Sequence, residues 1–132
     1  MNPRYPAIAE RAAHRCEYCR APEVIFNFRF EVEHIDPRSS DADNETNLAL
    51  SCRSCNVHKS DRTTEVDLET GEVSTLFHPR TDIWEEHFNF DPVTGNIVGT
   101  TARGRVTVTC LRMNTAIHIR ARRRWAELGL FP

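Results

Sequence analysis

Apolar positions near the N-terminus recur at helical spacing: Ile8, Ala9, Ala12 and Ala13 form one stripe, which predicts a short helix over Pro6 to Arg15. Proline is tolerated in a first helical turn, where its missing N–H leaves no bond unmade. The period then changes to two. Phe26, Phe28, Phe30 and Val32 alternate with Asn27, Arg29, Glu31 and Glu33, so Val24 to Ile35 predicts a strand that Pro37 ends. Ser39 to Thr46 is polar and loop-like, Leu48 to Ser51 predicts a second short strand, and a helix is expected from about Arg53 to Asp61.

Farther along, Asp67 to Val73 predicts a hairpin turning at Thr70-Gly71, and Phe90 to Ile97 a second with Gly95-Asn96 at its bend. Arg105 to Leu111 is rich in β-branched residues. Met113, Ile117, Ala121, Trp125 and Leu128 recur about every four positions, a helical core stripe that Asn114 could cap and that Gly129 and Pro132 would end. Trp84 and Phe88, four apart, read as packing residues.

Composition narrows the classes. With 27% charged and 39% hydrophobic residues, 132 positions make one domain or a small core with an extension. No stretch reaches the ~18 apolar residues of a membrane span, and Met1 to Pro6 leads into no apolar run. The expectation is a cytoplasmic chain, where paired cysteines bind metal more often than they form disulfides.

Two such pairs exist, Cys16-x-x-Cys19 and Cys52-x-x-Cys55, separated by 32 residues. Cysteines at this spacing can turn both sulfurs toward one tetrahedral ion, and two pairs complete a four-sulfur site with no open position. The expected zinc is therefore structural, stapling a core of about 60 residues that is otherwise short of apolar surface. Cys110 lies outside the pattern and reads as a small buried residue.

The formal net charge of −2 does not advertise a nucleic-acid partner. Its distribution says more. Arg103 to Ala126 holds seven arginines and no acid, whereas Asp61 to Asp91 is strongly acidic. Arg120, Arg122, Arg123 and Arg124 would form either a basic face that grips DNA or a solvated face neutralised by the acidic middle.

Between the cysteine pairs stand Glu31, Glu33-His34-Ile35-Asp36-Pro37 and Asn47-Leu48, followed by Asn56 and Lys59 just after Cys55. Each alone has an ordinary reading. Together, in this order, they resemble the HNH endonucleases of the ββα-metal type over roughly residues 10 to 62. The resemblance implies a zinc-stapled ββα core over 1–66, and the hairpins and final helix read farther along add a mixed extension over 67–132 that ends in a basic helix, an α+β fold in all. It also implies roles. His34 would be the general base and Asn47 would tie down the loop that carries it. Glu33 and Asn56 would hold one Mg²⁺ or Mn²⁺. Lys59 and Arg53 would meet the DNA backbone, with Arg120 and Arg123 as further candidates.

Three features depart from the common pattern. The first ligand is Glu rather than Asp, the last is Asn56 rather than His, and His58 lies two residues past it, ~200° round a helix. Adjacent residues of a regular strand also point to opposite faces, so Glu33 and His34 share a site only if the strand ends or bulges there. The rival readings are a non-catalytic zinc module that binds nucleic acid or protein, and a thiol-redox protein. A nuclease of this kind could be a monomer or a homodimer.

Overall fold

The computed structural model describes residues 1–132 and is a mixed α+β chain. Its elements are α1 (Tyr5–Arg11), β1 (Glu31–His34), β2 (Leu48–Ser51), α2 (Arg53–Lys59), β3 (Thr64–Val66), β4 (Val73–Thr75), α3 (Trp84–His87), β5 (Phe88–Phe90), β6 (Ile97–Gly99), α4 (Ala102–Cys110) and α5 (Ala116–Glu127). The strands form three two-stranded antiparallel sheets, β1-β2, β3-β4 and β5-β6. None of the helices is long and apolar enough to cross a membrane.

Helix α1 begins with Pro6 in its first turn and buries Tyr5, Ile8 and Ala9, the i, i+3, i+4 face expected of a short amphipathic helix. It stops earlier than Arg15 because Ala13 and His14 turn left-handed, at φ 53° and 54°. That turn delivers the chain to an Arg15–Pro22 bridge enclosing the first cysteine pair.

The long strand expected from Val24 shrinks to Glu31–His34. Upstream, a 3₁₀ turn occupies Glu23–Ile25, and buried Glu23 receives hydrogen bonds from Tyr5 Oη (2.8 Å) and Phe30 N (2.5 Å). Phe26 sits with its ring edge-on to those of Phe28, Phe30 and Trp125, so the alternating phenylalanines build an aromatic cluster rather than a ladder. By contrast, β2 and α2 lie where the pattern set them, and both glycine-bearing turns are present, Gly71 at φ 75° and Gly95 at φ 82°.

The β-branched run at 105–111 lies mostly in α4, because Thr101 caps the helix by accepting from Gly104 N and because two glycines let it approach β6. A Cβ on Gly104 would come 2.0 Å from His87 O, and one on Gly99 2.3 Å from Arg105 N. Propensity yields to that contact.

The core stripe expected in α5 is corrected in two places. Ile117 and Leu128 are 70% and 72% exposed, while the buried helical residue is Arg122. The cap is Thr115, not Asn114, whose amide instead pins Ile97 by bonds to both its N–H (2.9 Å) and C=O (2.8 Å). One apolar core of 24 residues runs from Tyr5 to Phe131 through both halves of the chain.

Candidate metal centre and histidine site

The first cysteine pair sits on a tight turn closed by Arg20 N→Cys16 O and Cys16 N→Ala21 O, with Arg20 left-handed. The second starts α2. Cys52 is its N-cap, and Cys55 N points at Cys52 Sγ as Cys19 N points at Cys16 Sγ. Register does the rest, since β2 carries Cys52 back alongside the first turn, where Glu17 N bonds to Leu50 O.

All four cysteines are buried, and their sulfurs lie within 4.8 Å of one another, Cys19 Sγ being 3.8 Å from Cys52 Sγ. Tetrahedral zinc with Zn–S bonds of ~2.3 Å needs sulfur separations of ~3.8 Å. The site fits that ion. Burial disfavours a thiolate at Cys16, but the three sulfurs around it outweigh burial and draw its pKa well below the usual range. The hydrogen bond to Cys16 in turn pushes Cys52 and Cys55 upward. One negative charge is shared and the next is resisted, so a dication is what would let all four ionise. No other group of three or more Cys, His, Asp or Glu side chains comes within ligating reach.

His34 closes β1. Its Nε2 lies 2.7 Å from Asp43 Oδ1, a partner that sequence spacing did not flag because Asp43 belongs to a loop without pattern. An ionised carboxylate only accepts, so Nε2 donates, and in the neutral ring the lone pair is then on Nδ1. The loop after His34 is held by Asn47, whose amide accepts from Asp36 N (3.0 Å) and donates to Asp36 O and Ala42 O (both 2.9 Å). Ile35 N bonds to Asn47 O. The imidazole is thus mounted on a braced turn with 37% of its side chain exposed.

Glu33 and Asn56 each take partners other than His34. Strand register pairs Glu33 with Ala49 and His34 with Leu48, and alternate side chains leave by opposite faces. Glu33 turns inward, its side chain 2% exposed, with Oε1 2.6 Å from Lys59 Nζ and Oε2 accepting from Tyr18 Oη at 2.8 Å. Burial raises its pKa, opposed by Lys59 and Tyr18. Asn56 instead lies beside Glu31, on the same strand face as Glu33, and its amide hydrogen-bonds the Glu31 carboxylate. Asn56 turns its amide nitrogen to Glu31, so a divalent ion would meet the hard oxygens of both only after that amide flips, and would reach Glu33 only by displacing the Lys59 ammonium.

Lys59 is a further correction. Expected at the DNA backbone, it is 1% exposed and donates to Ile35 O at 2.7 Å, because the buried Glu33 carboxylate demands a cation. It braces the turn after His34 from below. Arg53, Arg120 and Arg123 remain exposed and form no ion pair, whereas His58 meets Ser54 within α2 at 3.4 Å.

Comparison with curated proteins finds no match. Over residues 16–62, a stretch that begins at the first ligand cysteine and ends just beyond α2, the chain matches the family model of the HNH endonuclease.

Proposed function

We propose that this protein is a metal-dependent endonuclease that hydrolyses phosphodiester bonds in DNA. The observation that carries the reading is the braced, half-exposed His34 at the end of β1, inside the segment that matches the family. Asp43 holds Nε2, so Nδ1 takes the proton of the attacking water, and Asn47 and Lys59 keep the ring in place while it does so. Asn56 with Glu31, and Glu33 if Lys59 yields it, would hold one Mg²⁺ or Mn²⁺. When bound, that ion would supply positive charge against the negative charge that develops at the phosphate. Arg53, Arg120 and Arg123 offer unpaired exposed charge for phosphates, each worth more at low salt.

The test is nicking of supercoiled plasmid by purified, zinc-loaded protein. Cleavage should require added Mg²⁺ or Mn²⁺ and stop when a weak chelator removes that ion but leaves the zinc. An absence of cleavage with either ion would favour the second reading, a zinc module that binds without cutting. The observation on that side is the buried Glu33–Lys59 pair, which occupies a carboxylate that a nuclease of this type would spend on its ion.

A further inference from the structure

Arg122 is the most buried cation of the second half of the chain and has no anion beside it. It is 2% exposed, and no carboxylate lies within 4.0 Å of its guanidinium. Its bonds go to neutral oxygens only: Nη1 to Gly95 O (2.7 Å) and Asn114 Oδ1 (3.2 Å), Nη2 to Met113 O (2.6 Å), with Nε unpartnered. Its ring neighbour is Phe131, 5.8 Å from Cζ to the centroid. A guanidinium cannot shed its proton to escape burial, and isolated buried charge is among the costliest features a fold can carry. Something else must compensate it.

Arg122 lines the same apolar cleft as Cys19 and Cys52, a cleft of about 460 Å³ walled by α2 and α5 with no acidic residue in its lining. Four thiolates around one Zn²⁺ carry a net charge of about −2. Lys59, the other buried cation of the core, is already matched by Glu33. Burial lowers the Arg122 pKa, and the Cys19, Cys55 and Cys52 sulfurs are the groups that oppose this.

We infer that Arg122 is the counter-charge of the zinc tetrathiolate, and that the last helix is thereby tied to the metal electrostatically as well as through the core. The tie runs in both directions. Zinc holds α5 down, and the arginine stabilises the ionised sulfurs against release of the ion. Groups just outside a metal's ligands commonly change affinity by about 10- to 100-fold when removed. This inference concerns the structural ion and is independent of whether the protein cuts DNA.

The test is zinc affinity of the full chain, measured with Zn²⁺ alone against a chromophoric chelator, for wild type, Arg122→Met, Arg122→Lys and Asn114→Ala, with circular dichroism as the control for folding. Arg122→Met should bind zinc about 10- to 100-fold more weakly. Arg122→Lys, which keeps the charge and loses the fork of hydrogen bonds, should recover most of that loss, and Asn114→Ala should stay within a few-fold of wild type. Wild-type affinity in Arg122→Met would overturn the inference, as would equal losses in the Met and Lys variants or a Met-sized loss in Asn114→Ala. If the Met variant fails to fold, the Lys variant decides: near-normal zinc binding supports the charge role, and failure to fold or to hold zinc rejects it.

Discussion

At the scale of single residues, the site depends on which charges are neutralised before any ligand arrives. Glu33 and Lys59, side chains 2% and 1% exposed, are matched to each other, and breaking a buried pair from one side leaves a bare charge in a poor dielectric. Lys59→Met should therefore destabilise the fold by about 3–5 kcal/mol in urea denaturation, and Glu33→Gln combined with it should recover much of that loss. A Lys59→Met protein as stable as wild type would show that Tyr18 alone suffices for Glu33. The pairing was not legible in the sequence. Lys59 follows Asn56 by three positions and reads as an exposed helix residue; only the inward register of Glu33 on β1 makes it a core group. Asn47 differs, because the resemblance to the HNH endonucleases, rather than any local pattern, pointed to it, and its amide bonds Asp36 and Ala42 in the loop after His34.

At the scale of elements, strand β2 and helix α2 were legible because local pattern, turn chemistry and tertiary packing agree there. Where they disagree, packing decides. Phenylalanines at alternate positions 26, 28 and 30 carry a strand signal, yet Glu23 takes the Phe30 N–H and the rings pack on one another and Trp125. The β-branched run of α4 is helical because Gly99 and Gly104 admit backbone contact that no strand would need. The hairpin β3-β4 straddles residue 66 and is fastened to α4 by Arg105, whose Nη2 donates to Asp67 Oδ2 at 2.9 Å. The Arg105 hydrogen bond holds the Asp67 pKa down to about 2 from an ordinary 3.8. A depressed carboxylate contributes stability that is complete above its unfolded pKa and lost as pH falls through the folded one. Thermal midpoints of wild type should thus drop between about pH 4 and pH 2 more steeply than those of Asp67→Asn. Parallel curves would detach the hairpin from this bond.

At the scale of the molecule, one apolar core joins the halves, and the four sulfurs staple the first of them. Trp84 Nε1 donates to Tyr18 O at 2.8 Å inside the first cysteine turn, and Arg20 pairs with Glu85, so α3 rests directly on the zinc-binding segment. Charge polarity along the chain is partly spent within it: Arg103 pairs with Asp82 and Arg105 with Asp67 and Glu69, leaving Arg120 and Arg123 among the exposed unpaired cations. The sequence segregation of acid and base is therefore in part a fastening between segments. Removing the metal should loosen all of this together. Cys52→Ser is expected to lose zinc and to lower the unfolding midpoint of the whole chain in a single transition. Two separate transitions would mean that the second half stands without the staple.

The nuclease reading itself turns on one imidazole. In single-turnover cleavage of supercoiled plasmid with Mg²⁺ or Mn²⁺, zinc-loaded His34→Ala should fall by about 10²- to 10⁴-fold from wild type while zinc content and circular dichroism stay unchanged. Equal cleavage by the two proteins would contradict the role assigned to His34.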